Sequence, residues 1–180
     1  QSLPKHLTLE NSLELLSSVD GANERRDYCI LTLFLNCGLR LSELCGLNIS
    51  DISSDGIMTV TGKGNKERAV YLNDSCLSAV KAYLAVRPNE GIVATDRNAL
   101  FISRNHRRIS PKTVQHIVKI HLAKAGLGGM GFSTHKLRHT AATLMYQHGN
   151  VDIRVLKDIL GHANLGTTQI YTHVSDAQIK

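Results

Sequence analysis

The chain has 180 residues, 42% of them hydrophobic, enough for one domain with a sizeable core and too ordered in composition for a disordered segment. Lys and Arg outnumber Asp and Glu by 21 to 15, a net charge of +6 that suits a phosphate-rich partner without requiring one. The four cysteines, Cys29, Cys37, Cys45 and Cys76, form no CxxC pair, which argues against a disulfide framework. Reduced core thiols and a reducing cytoplasm follow as expectations. No apolar stretch reaches transmembrane length and no signal peptide is visible, so no membrane partner is expected. The first residue is Gln1 rather than Met, as expected of a piece of a longer protein.

Thr8 predicts a helix cap, with Leu9, Leu13 and Leu16 at helical spacing over roughly 9–19. Asn23 opens a second helix whose interior from Tyr28 to Leu35 is almost wholly apolar, hence central, with Gly38 as its stop. A short helix from Ser42 to near Gly46 follows. Ile57–Val60 and Glu67–Leu72 read as strands joined through Gly62-Lys63-Gly64-Asn65-Lys66, a hairpin tip. Asn73 caps a helix that ends before Pro88; 87–99 reads as loop, and Leu100–Ser103 as a short third strand. Ser110-Pro111 starts a further helix, which Gly126 ends. After a Gly-rich loop over 126–133, helices are predicted at 134–148, closed by Gly149, at 152–160, closed by Gly161, and around Thr167–Tyr171. The fold class predicted is mainly α with a small antiparallel β-sheet, in one domain.

Four elements carry groups suited to chemistry. In His135-Lys136-Leu137-Arg138-His139, the helical period puts His135, Arg138, His139 and Ala142 on one face and Leu137, Ala141, Leu144 and Met145 on the other. The basic face reads equally as an anion site or as a solvated surface. A zinc site is not expected, although His135 and His139 have i, i+4 spacing. Metalloproteases place Glu beside the first His, whereas here it is Lys136, and Arg138 would repel a cation. Arg40 stands between two helices, with Glu43 near enough in sequence to hold it. The hairpin tip from Lys63 to Arg68 gathers three cations against one Glu: a soluble turn, or a basic finger reaching a phosphate. Leu160-Gly161-His162 and Tyr171 are unspecific by themselves, one a helix end and the other a surface aromatic.

Taken together and in this order, these elements resemble the tyrosine recombinase (phage integrase) family, and most closely its Xer-type bacterial members, over nearly the whole chain. The resemblance implies the integrase catalytic-domain fold over residues 1–180. It implies a catalytic set of Arg40, Lys63, His135, Arg138, His162 and Tyr171, each matched by residue type in this sequence. In that reading Arg40 and Arg138 brace the phosphate oxygens, His162 adds a hydrogen bond, and Tyr171 attacks phosphorus. His135 takes the tyrosine proton, and Lys63 protonates the leaving 5′ oxygen. Glu43 orients Arg40, His139 buttresses the site, and Lys66 and Arg68 contact the DNA backbone. No metal, ATP or other cofactor is implied. The implied partners are double-stranded DNA and, for the whole protein, a homo- or hetero-tetramer of recombinase subunits in the bacterial cytoplasm.

Type IB topoisomerases use a similar constellation, but the hairpin and Leu160-Gly161-His162 look more recombinase-like. A relative that binds DNA without cutting it is disfavoured by the complete residue set. The family's N-terminal helical DNA-clamping domain has no counterpart in these residues, nor does the segment that follows the tyrosine helix and docks on a neighbouring subunit. Weak DNA binding by this chain alone is therefore expected.

Overall fold

The structure, a computed structural model, describes residues 3–156. Eight helices and strands are used below. Helix α1 spans Leu9–Ser17, α2 Glu24–Cys37 and α3 Leu41–Cys45; strands β1 and β2 span Ile57–Thr61 and Glu67–Tyr71; α4 spans Asp74–Leu84, α5 Pro111–Lys124 and α6 Thr134–His148. Residues 153–156 are also helical. The predicted helix closure at Gly161 and the helix around Thr167–Tyr171 lie outside the described residues.

Helix boundaries follow the caps. The Thr8 hydroxyl accepts the Asn11 amide at 2.9 Å, while the Asn11 side chain accepts the Thr8 amide at 3.3 Å, a reciprocal cap for α1. Asn73 caps α4 through the Cys76 amide, and Ser110 caps α5 through the Thr113 amide, with Pro111 at the first helical position. Gly38 ends α2 at φ 66°, the left-handed conformation that leaves glycine free of β-carbon strain.

Helix α2, apolar almost throughout from Tyr28 to Leu35, is the hub. Cys29, Ile30, Leu31, Leu33 and Phe34 are fully enclosed, and the helix packs against α1, α4 and α6. One cluster of buried side chains runs from Leu7 through these helices to Ile153. β1 and β2 pair antiparallel with Ile57 opposite Tyr71 and Thr61 opposite Glu67. The inner face of this ribbon carries Met58 and Val60, both fully buried.

The third strand expected at Leu100–Ser103 does not form. Only single bridges, Asn48 to Ala99 and Ile102 to Arg108, occur there. The segment's backbone groups are shared between scattered backbone partners, such as Leu100 amide to Leu47 carbonyl and Ile109 amide to Phe101 carbonyl, and side chains from elsewhere. Arg87, buried in the loop after α4, donates to the carbonyls of Ala99, Leu100 and Arg97. The Ile102 amide donates to the Tyr83 hydroxyl at 3.0 Å, and Arg26 donates to the Ile102 carbonyl. With its polar groups satisfied, the segment buries Leu100, Phe101 and Ile102 without a ladder.

The segment before α1 lies along α6. The Leu7 amide donates to the Thr140 hydroxyl at 2.8 Å, and both groups are buried. The Lys136 ammonium donates to the Pro4 carbonyl at 2.9 Å, and the His6 ring lies 5.6 Å from that of His139.

Candidate active site

Arg40 is the residue immediately before α3 and is exposed, two positions beyond the left-handed Gly38. Its backbone is fixed from within the short helix. The Glu43 carboxylate reaches back to accept the Arg40 amide at 2.8 Å, and the Arg40 carbonyl accepts the Leu44 amide. Glu43 thus orients the Arg40 backbone, not its guanidinium.

The guanidinium that Glu43 does bind belongs to Arg68 of β2. Both Nη atoms engage both carboxylate oxygens, with Nη2 to Oε1 at 3.1 Å and Nη1 on Oε2. The Glu43 side chain is 1% exposed and that of Arg68 45%. Burial by itself pushes the Glu43 carboxyl up. The hydrogen bonds from Arg68 and from the Arg40 amide, with the charges of the two arginines, outweigh burial and hold it below the ordinary glutamate value.

The same carboxylate abuts the root of the hairpin. A β-carbon at Gly62 would stand 3.1 Å from Glu43 Oε2, so only glycine fits there without moving the acid. Lys63 follows at the start of the turn. Its tip closes through the Gly62 amide and Lys66 carbonyl at 2.7 Å, with Gly64 and Asn65 at positive φ. Lys63 and Lys66 are exposed.

Helix α6 supplies the other side. Leu137 and Ala141 are fully buried, while His135 and His139 are exposed, so the two faces separate as the helical period predicts. Arg138 is half-buried, and its Nε is enclosed without a hydrogen-bond partner among the described residues. The residue as a whole is only half-buried, and a guanidinium fork is suited to holding an anion. The helix is pressed against the end of α2, where a Gly38 β-carbon would meet Ala141 Cβ at 3.6 Å and the Arg138 carbonyl oxygen at 3.9 Å. His139 faces His6 of the N-terminal segment.

The backbone around Arg40 is therefore in contact with both the helix of Arg138 and the hairpin of Lys63. His162 and Tyr171 lie outside the described residues. A cleft of 620 Å³ between the start of α2 and α5 is a separate feature; its lining includes Arg26, Asp27 and His121 and none of the candidate site residues. Sequence reasoning missed the Glu43–Arg68 pair. The alternation of β2 was the available signal, because it puts Arg68 on the same side of the ribbon as buried Val60.

The phage integrase family profile matches residues 5–178. The chain belongs to the phage integrase family. Among family members, a tyrosine recombinase XerC from Caldanaerobacter subterraneus subsp. tengcongensis is 59% identical over 177 residues, covering 98% of this chain and 49% of the relative. A tyrosine recombinase XerA from Pyrococcus furiosus is 40% identical, covering all of this chain and 61% of the relative. The integrase-family fold matches as well: a crystal structure of XerA recombinase superposes with a TM-score of 0.71 at 32% identity, over 99% of this chain and 63% of that one. A XerH site-specific recombinase bound to palindromic difH substrate, in a post-cleavage complex, gives 0.70 at 28% identity, over 99% of this chain and 52% of that one. The chain thus spans about half to three-fifths of the length of these relatives.

Proposed function

We propose that residues 1–180 are the catalytic domain of a site-specific DNA recombinase, which cuts and rejoins strands through a covalent 3′-phosphotyrosine. The observation that carries this reading is the contact of the Arg40 loop with two other elements, the helix of Arg138 through Gly38 and the Lys63 hairpin through Glu43. Three basic groups from distant parts of the sequence thereby belong to one framework, as stabilisation of a phosphorane-like transition state requires.

In the proposed step the Tyr171 oxygen forms a bond to phosphorus as the bond to the 5′ oxygen breaks. The phenol proton passes to His135, and the 5′ oxygen takes a proton from Lys63. Arg40 and Arg138 hold the non-bridging oxygens by forked hydrogen bonds from their guanidinium groups. His162 donates to the same phosphate. Attack of the free 5′ hydroxyl on the phosphotyrosine runs the step backwards and rejoins a strand, so the phosphodiester bond energy is retained. The substrate is double-stranded DNA. The whole protein acts as a tetramer of recombinase subunits in the cytoplasm.

A nicked suicide duplex, which loses a short fragment on cleavage, traps the covalent adduct for a denaturing gel. An adduct is expected with the native chain, with and without chelator, and none with Tyr171→Phe. An adduct that persists in Tyr171→Phe, or one that needs metal, overturns the proposal.

A further inference from the structure

We infer that Arg68 is a positioning residue for Lys63, the latch that holds the basic hairpin against the Arg40 element. This rests on the reading of Lys63 as the general acid given above.

The latch acts on the weaker strand of the hairpin. Among the described residues the sheet has two strands of five residues; β1 is anchored in the core by Met58 and Val60 and bridged by Ile52, whereas β2 has no fully buried residue. The hairpin tip carries Lys63 and Lys66 into solvent. The register puts Arg68 opposite Val60, so its side chain leaves the ribbon on the face of the buried Val60 and Met58, whereas Glu67 and Ala69 leave on the exposed face. From there its guanidinium grips both oxygens of Glu43.

Glu43 touches the hairpin at both roots, through Arg68 on β2 and through the Gly62 backbone after β1. Its Oε1 simultaneously accepts the Arg40 amide at 2.8 Å. One buried carboxylate therefore sets the spacing between the residue that braces the phosphate and the residue that protonates the leaving oxygen. A planar fork suits this task, because two-point contact fixes orientation as well as distance. The contact leaves the guanidinium partly exposed, yet directs it to a carboxylate instead of outward along the tip with Lys66.

The test separates this role from a phosphate contact and from general destabilisation. The probe is a nicked suicide duplex with either an ordinary scissile phosphate or one whose bridging 5′ oxygen is replaced by sulfur. A thiolate leaves without protonation, so loss of a general acid slows only the oxygen substrate. Cleavage by the native chain, Lys63→Ala, Arg68→Gln and Arg68→Lys is timed at saturating protein, on samples shown folded by thermal unfolding. Arg68→Gln is expected to be slowed about ten- to a hundredfold on oxygen, a partial loss below the full general-acid contribution of about a hundred- to ten-thousandfold, and to approach the native rate on sulfur. Arg68→Lys, which keeps the charge without the fork, is expected to show a smaller loss with the same sulfur selectivity.

Equal losses on both substrates overturn the latch. So does an unimpaired Arg68→Lys, or a uniform loss of DNA affinity with the salt slope reduced by about one, the signature of a phosphate contact. If Lys63→Ala gains nothing from sulfur, the acid role of Lys63 falls and the latch with it. If Lys63→Ala is rescued and the Arg68 variants are not, the latch alone falls.

Discussion

Gly38 and Ala141 meet where α2 ends and α6 crosses it: a β-carbon on Gly38 would stand 3.6 Å from Ala141 Cβ. That spacing is ordinary van der Waals contact, so space alone would admit alanine. The backbone does not, because Gly38 has φ 66°. Gly38→Ala is expected to cost about 1–2 kcal/mol from left-handed strain. For a chain of this size that lowers the melting temperature by roughly 2–8 °C. Thermal unfolding checks it, and an unchanged midpoint would contradict the strain argument.

Glu43 makes stability depend on pH in a definite direction. Its folded-state carboxyl titrates below the ordinary glutamate value, about 4.3 in an unfolded chain. Its contribution is complete above that value and is lost as pH falls through the lower folded value. Glu43→Gln should cost about 1–3 kcal/mol near neutrality, since it leaves Arg68 without its charged acceptor. Urea midpoints taken from pH 7 downward should show a constant gap between native and variant that closes only in acid. A gap that widens on acidification would give the linkage the wrong sign.

A second buried network lies away from the catalytic candidates. His121 Nε2 and Asp27 Oδ2 are 2.8 Å apart, and Arg26 Nε donates to Asp27 Oδ1 at 3.1 Å. His121→Leu removes one partner of the enclosed carboxylate and should destabilise the fold by about 1–3 kcal/mol. Denaturant titration reads that loss. Adduct formation per folded molecule should stay at the native level, and a selective loss of cleavage would tie this network to the site.

The thiols should be silent while the chain is folded. All four cysteines are buried and free. Burial raises Cys29 and pushes Cys45 up to about 11, while Cys76 is raised by its hydrogen bond with Cys37, 3.8 Å away, and by burial. Since the thiolate is the reactive form, a disulfide reagent at pH 8 should label the native chain slowly and the urea-unfolded chain quickly. A rapid burst of one thiol without denaturant would refute this.

What the sequence revealed of the fold was local. Thr8, Asn73 and Ser110 mark helix starts because a cap reads only three residues ahead, and the two faces of α6 follow from periodicity. What stayed hidden depends on partners far along the chain. Leu100–Ser103 has strand composition, but Arg87, Tyr83 and Arg26 take part of its backbone from other elements and the rest pairs with scattered backbone groups. Arg108 has the look of a surface cation and instead donates to the Cys45 and Leu47 carbonyls. Within the site, Arg40, Lys63, His135 and Arg138 were legible as residue types in order. That Glu43 and Arg68, 25 positions apart, share one ion pair was not.

The segment before α1 is mechanically tied to the helix of His135 and Arg138. Residues 4–7 cannot shift along α6 without breaking the buried bond between Leu7 and Thr140 and the Lys136 contact to the Pro4 carbonyl. A tug on that strap is therefore shared between α6, through these two bonds, and α1, which the same chain enters at Leu9. Both anchor residues on α6 stand two positions from Arg138, about half a helical turn, so strain on residues 4–7 is delivered next to that arginine.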